Sequence, residues 1–369
     1  MSSARSWSRL GIDVRKLGDG GIGTYIRDTL TAICGLAPEL RVVAFGAPGG
    51  ERLALPNVEW MEVPAGKYSL AEHVLLPAAA RRSGVDLFHA PHYVLPIGLS
   101  CPSVVTVHDL IHVLLPRTPL HWLYARFMIA SACRRARRVI VVSETTARDL
   151  RDLLGVPSEK IRVVPNGVDS RFRRLPEETV RPHLERLGVR RPYVLFVGNC
   201  LPHKNVASLV RAWGGLEEPR PDLVLCGSGY DRAADVWRAA DEVRGRKRIR
   251  TIGTLSDEAL VALYNGADLL ASASLYEGFG LPVLEAFACG TPVLAPRTGA
   301  VPEIAGDGAL LVPPQRVDLL TSGMYRLLRD RDLREELVEK GSRRVRSFSW
   351  EEAARQTLSV YAEVTSDAR

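Results

Sequence analysis

The chain has few of the features that mark membrane-spanning or disulfide-linked proteins. No apolar run approaches the roughly 18 residues that span a bilayer, and the N-terminus has no apolar core of signal-peptide length. Six cysteines are scattered without a Cys-x-x-Cys pair, which excludes a zinc ribbon and argues against a disulfide framework. We therefore expect a cytoplasmic protein whose thiols are reduced.

Lysine is also scarce, because only six of the 49 basic residues are lysines. Residues 1–175 hold 23 Lys and Arg against 15 Asp and Glu, and the rest of the chain holds 26 against 27. Aromatic residues are not interleaved with this basic excess, so nucleic acid is not an expected partner. An arginine cluster at a helix end is favoured by the helix dipole; the alternative is attraction to an acidic acceptor or to anionic lipid, at the inner face of a membrane. The cluster comprises Arg134, Arg135, Arg137 and Arg138.

A length of 369 residues exceeds one typical core and indicates two domains. Short apolar runs alternate with segments of helical periodicity, which predicts two doubly wound parallel sheets with ligands at the carboxyl ends of the strands. The runs of the first half are Arg9–Val14, Arg41–Phe45, Val58–Val63, Asp86–His89 and Val104–Val107, and a second series begins at Tyr193–Val197.

The stretch Ser274–Gly290 contains the strongest motif, E-G-F-G-L-P. It predicts a turn followed by a helix over Leu281–Cys289, whose N-terminal N–H groups suit an anion such as phosphate. Glu277 and Glu285 lie on either side of this site. Because a carboxylate does not bind phosphate, the pair indicates a ligand that carries hydroxyl groups beside its phosphates, such as a nucleotide sugar.

Other turns after strands supply further candidate phosphate contacts. Gly21, Ile22 and Gly23 lie in a glycine-rich loop before a helix that we predict over Thr24–Ile33. Lys204 follows the strand Tyr193–Val197 and is a mobile cation at the start of the next helix. Neither segment has the G-x-G-x-x-G spacing of a dinucleotide fingerprint, which argues against an NAD-dependent oxidoreductase.

Three histidines follow predicted strands. His108 comes at a carboxyl end, with Asp109 either orienting it or capping the next turn. His89 and His92 are assigned to the acceptor side or to a structural role. Metal binding is the alternative for all three, but the spacing of Asp and Glu does not support it.

Five separated segments resemble retaining glycosyltransferase family 4, particularly its mannosyltransferase-like members. They are E-G-F-G-L-P-x-x-E, G-G-I-G-x-Y, V-T-x-H-D-L, D-x-x-H-x-P and V-x-P-N-G-V-D. The resemblance implies a GT-B fold, an α/β architecture of two Rossmann-like domains facing across a cleft. We expect an acceptor domain over 1–175, a donor domain over 176–348, and a C-terminal helix over 349–369 that returns to the first domain and is anchored by Trp350.

The resemblance also implies the reaction, in which a hexose passes with retention of anomeric configuration from a nucleotide diphosphate-sugar to a hydroxyl group, without a metal. GDP-mannose is the expected co-substrate and a UDP-sugar the alternative. The acceptor is a glycan, a lipid-linked sugar or a small molecule. The family is usually assigned a front-face route, in which the leaving phosphate accepts the proton of the acceptor.

By the same resemblance, His108, Glu277 and Lys204 are the expected catalytic residues. Glu277 would hold hydroxyls of the sugar, and Glu285 would accept hydrogen bonds from the ribose. His89, His92 and Asp109 are placed on the acceptor side. The expected donor-binding residues are Gly21, Ile22, Gly23, Asn199, Lys204, Gly227, Phe279, Gly280, Leu281 and Glu285.

The chain departs from the family at one point. Where related enzymes place an arginine with the lysine, this chain has Asn199 and His203. A catalytically lapsed homologue that only binds ligands is therefore an alternative, ahead of an oxidoreductase, and a phosphorylase or epimerase on the same fold comes last.

Overall fold

A computed structural model describes residues 8–366, which form two compact units. The first comprises residues 8–167 together with 349–366, and the second comprises residues 168–348. The chain thus leaves the first unit at Gly167, eight residues before the expected end of the acceptor domain at residue 175. The next helix, Glu177–Leu187, packs on the helix Asp257–Gly266 of the second unit.

The first unit is built on a seven-stranded parallel sheet in the order β3-β2-β1-β4-β5-β6-β7. The strand order reverses between β1 and β4, so a crevice is expected at the carboxyl ends of these two strands. The central strands are apolar runs buried along their whole length, as a parallel sheet covered on both faces requires. The strands are β1 (Arg9–Asp13), β2 (Arg41–Gly46), β3 (Val58–Glu62), β4 (Leu87–Ala90), β5 (Ser103–Val107), β6 (Arg138–Val141) and β7 (Ile161–Val163).

Helices of the first unit follow β1, β3, β5 and β6, whereas β2–β3 and β4–β5 are joined without a helix. Two of them have side-chain caps, because Thr118 accepts a hydrogen bond from the N–H of His121 and Ser143 accepts one from the N–H of Thr146. Both caps are polar residues that directly precede a run of helical periodicity. The helices are α1 (Gly20–Leu36), α2 (Glu72–Arg82), α3 (Ile111–Leu114), α4 (Pro119–Arg135) and α5 (Glu144–Leu154).

The second unit has a six-stranded parallel sheet in the order β10-β9-β8-β11-β12-β13. Its strand order reverses between β8 and β11. The sheet core is apolar, and Trp213 is fully buried against it with its indole N–H donating to the carbonyl of Pro221. The strands are β8 (Tyr193–Val197), β9 (Asp222–Cys226), β10 (Ile249–Ile252), β11 (Leu269–Ala271), β12 (Val293–Pro296) and β13 (Leu310–Val312).

Eight helices lie in the described part of the second unit. They are α6 (Glu177–Leu187), α7 (Val206–Gly214), α8 (Ala234–Glu242), α9 (Asp257–Gly266), α10 (Leu281–Cys289), α11 (Val301–Ala305), α12 (Val317–Arg329) and α13 (Arg331–Arg344).

The last helix, α14 (Trp350–Ser366), belongs to the first unit and packs on α1. Trp350 is 7% exposed, and its ring meets the ring of Tyr25 edge-on with 6.2 Å between centroids. Near the other end of α14, Glu363 accepts hydrogen bonds from Arg138 and Arg162. Within residues 8–366, no helix is both long and apolar enough to cross a membrane.

Candidate active site

The switch point of the second sheet brings together Lys204 and Glu277. Lys204 ends a 3₁₀ turn that follows β8, and Glu277 lies in the turn that follows β11, the neighbouring strand. The lysine Nζ is 2.6 Å from the Oε1 atom of Glu277. An ammonium and a carboxylate therefore stand at the edge where an open α/β sheet binds its ligands.

The helix α10 begins and ends at the residues that the sequence predicts, Leu281 and Cys289. Gly280 is its N-cap with a φ of +109°, a conformation that residues with a Cβ rarely adopt. No side chain caps the first turn; Pro282 has no N–H there and the N–H of Val283 donates to the carbonyl of Gly280 at 3.0 Å, which leaves the N–H of Leu281 for an anion. A pocket beside this helix start is lined by Glu277 and Gly280, whereas the ring of Phe279 packs on Phe348.

Glu285 lies on the second turn of α10, where it accepts a hydrogen bond from the hydroxyl of Tyr264. The two oxygens are 2.6 Å apart. Tyr264 is fully buried, and burial together with the Glu285 carboxylate raises its pKa well above the usual value. The phenol therefore stays protonated and fixes the orientation of the carboxylate. Tyr264 is a site residue that the sequence does not reveal, because nothing in the helix pattern of α9 shows which way its ring points.

Gly227 brings the carboxyl ends of β8 and β9 into close contact. Its φ is +140°, and a Cβ at this position would lie 2.3 Å from the carbonyl oxygen of Gly198. Asn199, in the place of the usual arginine, accepts hydrogen bonds from the backbone N–H of Ser228 at 3.1 Å and from its hydroxyl at 2.8 Å. Asn199 thus links the turn that follows β8, which contains Lys204, to the turn that follows β9.

The first unit presents a second helix N-terminus at its own switch point. α1 begins at Gly20, so the prediction that it begins at Thr24 is wrong. Glycine is a poor helix former, so the sequence pattern indicates a loop at Gly21, Ile22 and Gly23. Gly21 and Ile22 instead lie in the first turn, where a helix has N–H groups without intrahelical partners, whereas the N–H of Gly23 donates to the carbonyl of Asp19 at 3.1 Å. No side chain caps this turn either.

His108 follows β5 and has a defined protonation pattern. Its Nε2 is 2.9 Å from the carbonyl oxygen of Pro91, and since a carbonyl only accepts, Nε2 carries the proton. Burial lowers the pKa of the ring, so His108 is neutral and Nδ1 is its acceptor nitrogen. The ring of Tyr25 holds the imidazole edge-on at 4.8 Å.

His89 lies inside the first unit and joins α14 to the sheet. Its Nδ1 is 2.7 Å from the Tyr361 hydroxyl and its Nε2 is 2.8 Å from the Thr106 hydroxyl, which also lies 3.0 Å from the hydroxyl of Tyr25. The side chain is fully buried, and burial lowers its pKa to about 3. Both nitrogens are engaged inside the first unit, which favours the structural role over the acceptor role for His89.

His92 belongs to a buried ionic network at the switch point of the first sheet. Its Nδ1 accepts from the N–H of Val94, so the protonated Nε2 faces Asp13 at 3.3 Å. Arg15 donates to Asp13 twice, at 2.9 and 2.8 Å, and to Glu72 at 2.9 Å. Burial alone would raise the pKa of Asp13, but His92 and Arg15 outweigh it and hold it well below the usual value.

Asp109 accepts a hydrogen bond from the N–H of Ile111 at 2.9 Å, so it closes the turn before α3.

Two of the four arginines of the cluster make contacts within the first unit. Arg135 donates to the carbonyls of Leu95 and Pro96, and Arg138 pairs with Glu363. Among residues 8–366, no three His, Cys, Asp or Glu side chains are grouped as a metal site would need.

The chain matches two family models. Residues 184–344 match "Glycosyl transferases group 1", and residues 19–172 match "Glycosyltransferase Family 4". The match at 184–344 lies within the second unit, and the match at 19–172 covers residues 19–167 of the first unit and ends five residues into the second. Each family model therefore covers the strands of one of the two sheets, apart from β1.

Known proteins are similar along most of the chain. The O-antigen chain mannosyltransferase B of Escherichia coli is 30% identical over 74% of this chain and 74% of its own length. The D-inositol 3-phosphate glycosyltransferase of Corynebacterium efficiens is 29% identical over 94% of this chain and 91% of its own length. The structure of HepE from Anabaena in complex with UDP and glucose has a TM-score of 0.78 at 17% identity, covering 96% of this chain and 100% of that one.

The similarity to HepE concerns the fold, whereas the mannosyltransferase is close enough in sequence to establish the family. The oxidoreductase alternative is therefore wrong. The chain belongs to the group 1 glycosyltransferases, it has their GT-B fold, and its class of activity is glycosyl transfer.

Proposed function

We propose that the protein transfers mannose from GDP-mannose to an acceptor hydroxyl with retention of anomeric configuration and without a metal. The observation that carries the proposal is the Lys204–Glu277 pair at the switch point of the second sheet. The similarity to a mannosyltransferase supports mannose as the sugar. The six cysteines are all free thiols, which supports a cytoplasmic location.

In this proposal the leaving diphosphate is stabilised by the ammonium of Lys204 and by the backbone N–H at the start of α10. Lys204 exchanges the carboxylate of Glu277 for a phosphate oxygen, and the released carboxylate accepts hydroxyls of the sugar. Glu285, held by Tyr264, accepts the ribose hydroxyls.

The chemical step then needs no protein nucleophile. The bond from the anomeric carbon to the diphosphate oxygen breaks as the acceptor oxygen attacks from the same face. The proton of the acceptor hydroxyl passes to the departing diphosphate. The protein contributes position and electrostatic stabilisation, which commonly supply most of an enzymatic rate enhancement.

A thermal-shift titration with GDP, UDP, ADP and NAD tests the donor site. A ligand at a hundred times its dissociation constant adds about 2.7 kcal/mol to the free energy of unfolding. We expect stabilisation by GDP, reduced in Lys204→Ala and unchanged in Lys247→Ala, an exposed lysine of the same unit. Stabilisation by UDP instead would replace the proposed donor by a UDP-sugar. Stabilisation by none of the four would leave the lapsed homologue as the better account.

Turnover tests the rest of the proposal. GDP-mannose and methyl α-mannoside, with and without EDTA, provide a donor and a simple acceptor. We expect release of GDP that is insensitive to EDTA, and an α-linked product from the α-linked donor by NMR. A β-linked product would refute retention, and activity that disappears with EDTA and returns with magnesium would refute independence from metal.

A further inference from the structure

The helix α4 has two apolar faces, only one of which is covered. Ala125, Ile129, Ala132 and Cys133 are buried in the core of the first unit. The other face is exposed, although its residues are also large and apolar. They recur at the i, i+3, i+4 and i+7 spacing of one helix face. They are Leu120, Leu123, Tyr124 and Phe127, with exposed fractions of 77%, 57%, 44% and 64%.

Leu114, the last residue of α3, and Leu115, which follows it, are also exposed. We call Leu114, Leu115, Leu120, Leu123, Tyr124 and Phe127 the α4 stripe; Trp122 lies outside it, on the side of the helix that carries Ala125 and Ile129. These six are among the fourteen large hydrophobic side chains that are exposed in the described part of the chain. Scattered exposed leucines need no explanation, but a contiguous group of this kind marks an interaction surface.

The charges around the stripe have one sign. Between Leu110 and Ser143 the sequence has no Asp or Glu, whereas it has six arginines. Arg117, Arg134 and Arg137 are exposed, and Arg126 lies over the ring of Trp122 with 5.5 Å between its Cζ atom and the ring centroid. The segment that carries the stripe therefore combines apolar side chains with cations and contributes no carboxylate of its own.

This chemistry selects among the surfaces that could cover it. A second copy of the chain would place arginines against arginines across a two-fold interface, at a cost in repulsion. An anionic bilayer pairs the arginines with lipid phosphates and admits leucine and phenylalanine at the acyl boundary. Tryptophan and tyrosine are the side chains enriched at the level of the lipid headgroups. We infer that the α4 stripe docks on the surface of an anionic lipid bilayer.

In this geometry α4 lies in the plane of the bilayer surface and does not cross it. Its 17 residues and its buried inner face fit an interfacial helix, whose apolar side enters the headgroup region by roughly 5–10 Å. The affinity for the bilayer then has an apolar contribution from the α4 stripe and an electrostatic contribution from the arginines. Binding to vesicles requires neither the donor nor the acceptor, so the inference stands or falls separately from the proposed function.

Flotation of the full chain with vesicles tests the inference. The vesicles are phosphatidylglycerol mixed with phosphatidylcholine, compared with phosphatidylcholine alone. We expect binding to the anionic vesicles, weakened when salt rises from about 0.1 M to about 0.5 M, and much weaker binding to the neutral ones. Leu123→Gln/Phe127→Gln should lower the partition coefficient at least tenfold, and Arg117→Gln/Arg134→Gln should remove most of the salt dependence.

The matched control is Leu319→Gln/Tyr325→Gln, which removes an exposed leucine and an exposed aromatic residue from α12 of the second unit. It should float like the wild type, and each variant should keep the wild-type melting temperature. Absence of flotation by the wild type, or an equal loss in the control, would refute the inference. A dimer in light scattering that Leu123→Gln/Phe127→Gln converts to a monomer would assign the stripe to a second copy instead.

Discussion

Lys204 and Glu277 meet at the end of the second sheet with 2.6 Å between Nζ and Oε1, and their side chains are 18% and 20% exposed. Such a partly exposed ion pair contributes little to stability, typically about 0–1 kcal/mol. The fold nevertheless places two opposite charges where a ligand with phosphates and hydroxyls needs them. We therefore expect changes to this pair to alter ligand binding far more than folding.

Glu277→Gln should separate binding of the nucleotide from transfer of the sugar. Removal of the carboxylate frees Lys204 and ends repulsion of the diphosphate, so the Kd for the nucleoside diphosphate should fall severalfold. Transfer should slow by roughly 10²–10³-fold, because the sugar loses a charged hydrogen-bond acceptor. Isothermal titration and initial rates measure the two effects. Glu242→Gln, which removes an exposed carboxylate paired with Arg211, is the control and should change neither quantity. Weaker nucleotide binding in Glu277→Gln would contradict this account.

Tyr264→Phe should destabilise the second unit and loosen Glu285. The substitution removes a 2.6 Å hydrogen bond from a buried hydroxyl to a carboxylate, which we expect to lower the free energy of unfolding by about 1–2 kcal/mol. The Kd for the nucleotide should rise severalfold as the carboxylate loses its orientation. Urea denaturation measures the first effect. Tyr325→Phe, at an exposed tyrosine, should stay within about 0.5 kcal/mol of the wild type. An equal stability of both variants would show that the hydrogen bond has no net value.

Gly227→Ala should damage folding and donor binding together. A Cβ 2.3 Å from the Gly198 carbonyl oxygen, at a φ of +140°, forces the ends of β8 and β9 apart. We expect a loss of about 2 kcal/mol or more in the free energy of unfolding. Gly253→Ala is the matched control, since Gly253 follows the adjacent strand β10 and its Cβ would meet nothing within 4 Å. A Gly227→Ala protein as stable as Gly253→Ala would refute the close approach of the two turns.

His89 should make stability dependent on pH. Its pKa is lowered to about 3 by burial, from an ordinary value of 6.5, so the unfolded chain takes up a proton at higher pH than the folded chain. The contribution of His89 is complete above pH 6.5 and is lost as the pH falls towards 3, at a slope on the order of 1 kcal/mol per pH unit. Unfolding of wild type and His89→Gln between pH 7 and about pH 4.5 measures the difference in slope. His183→Gln, on the partly exposed face of α6, should keep the wild-type slope, and a His89→Gln slope equal to it would contradict the prediction.

Much of the fold could be predicted from local pattern. Apolar runs and turn residues located most of the strands, and the bounds of α10 were predicted to the residue because Gly280, Pro282 and Gly290 mark its ends. Local pattern also identified Lys204 and Glu277 as candidates, since each follows a strand. It did not identify β13, because a run as short as Leu310–Val312 has too few residues to show a period.

The sequence by itself determined the two-sheet architecture, the order of the motifs and the family, because these depend on periodicity and on residues close together in the chain. Tertiary structure alone decided the partners of each candidate. His89 bonds to a tyrosine 272 positions away, and Glu285 to one 21 positions away on another helix. A sequence period shows that a side chain is buried or exposed, but it does not show what it faces. The contact partner of a side chain depends on strand order and helix packing. Burial of apolar surface between segments that are far apart in the chain decides both.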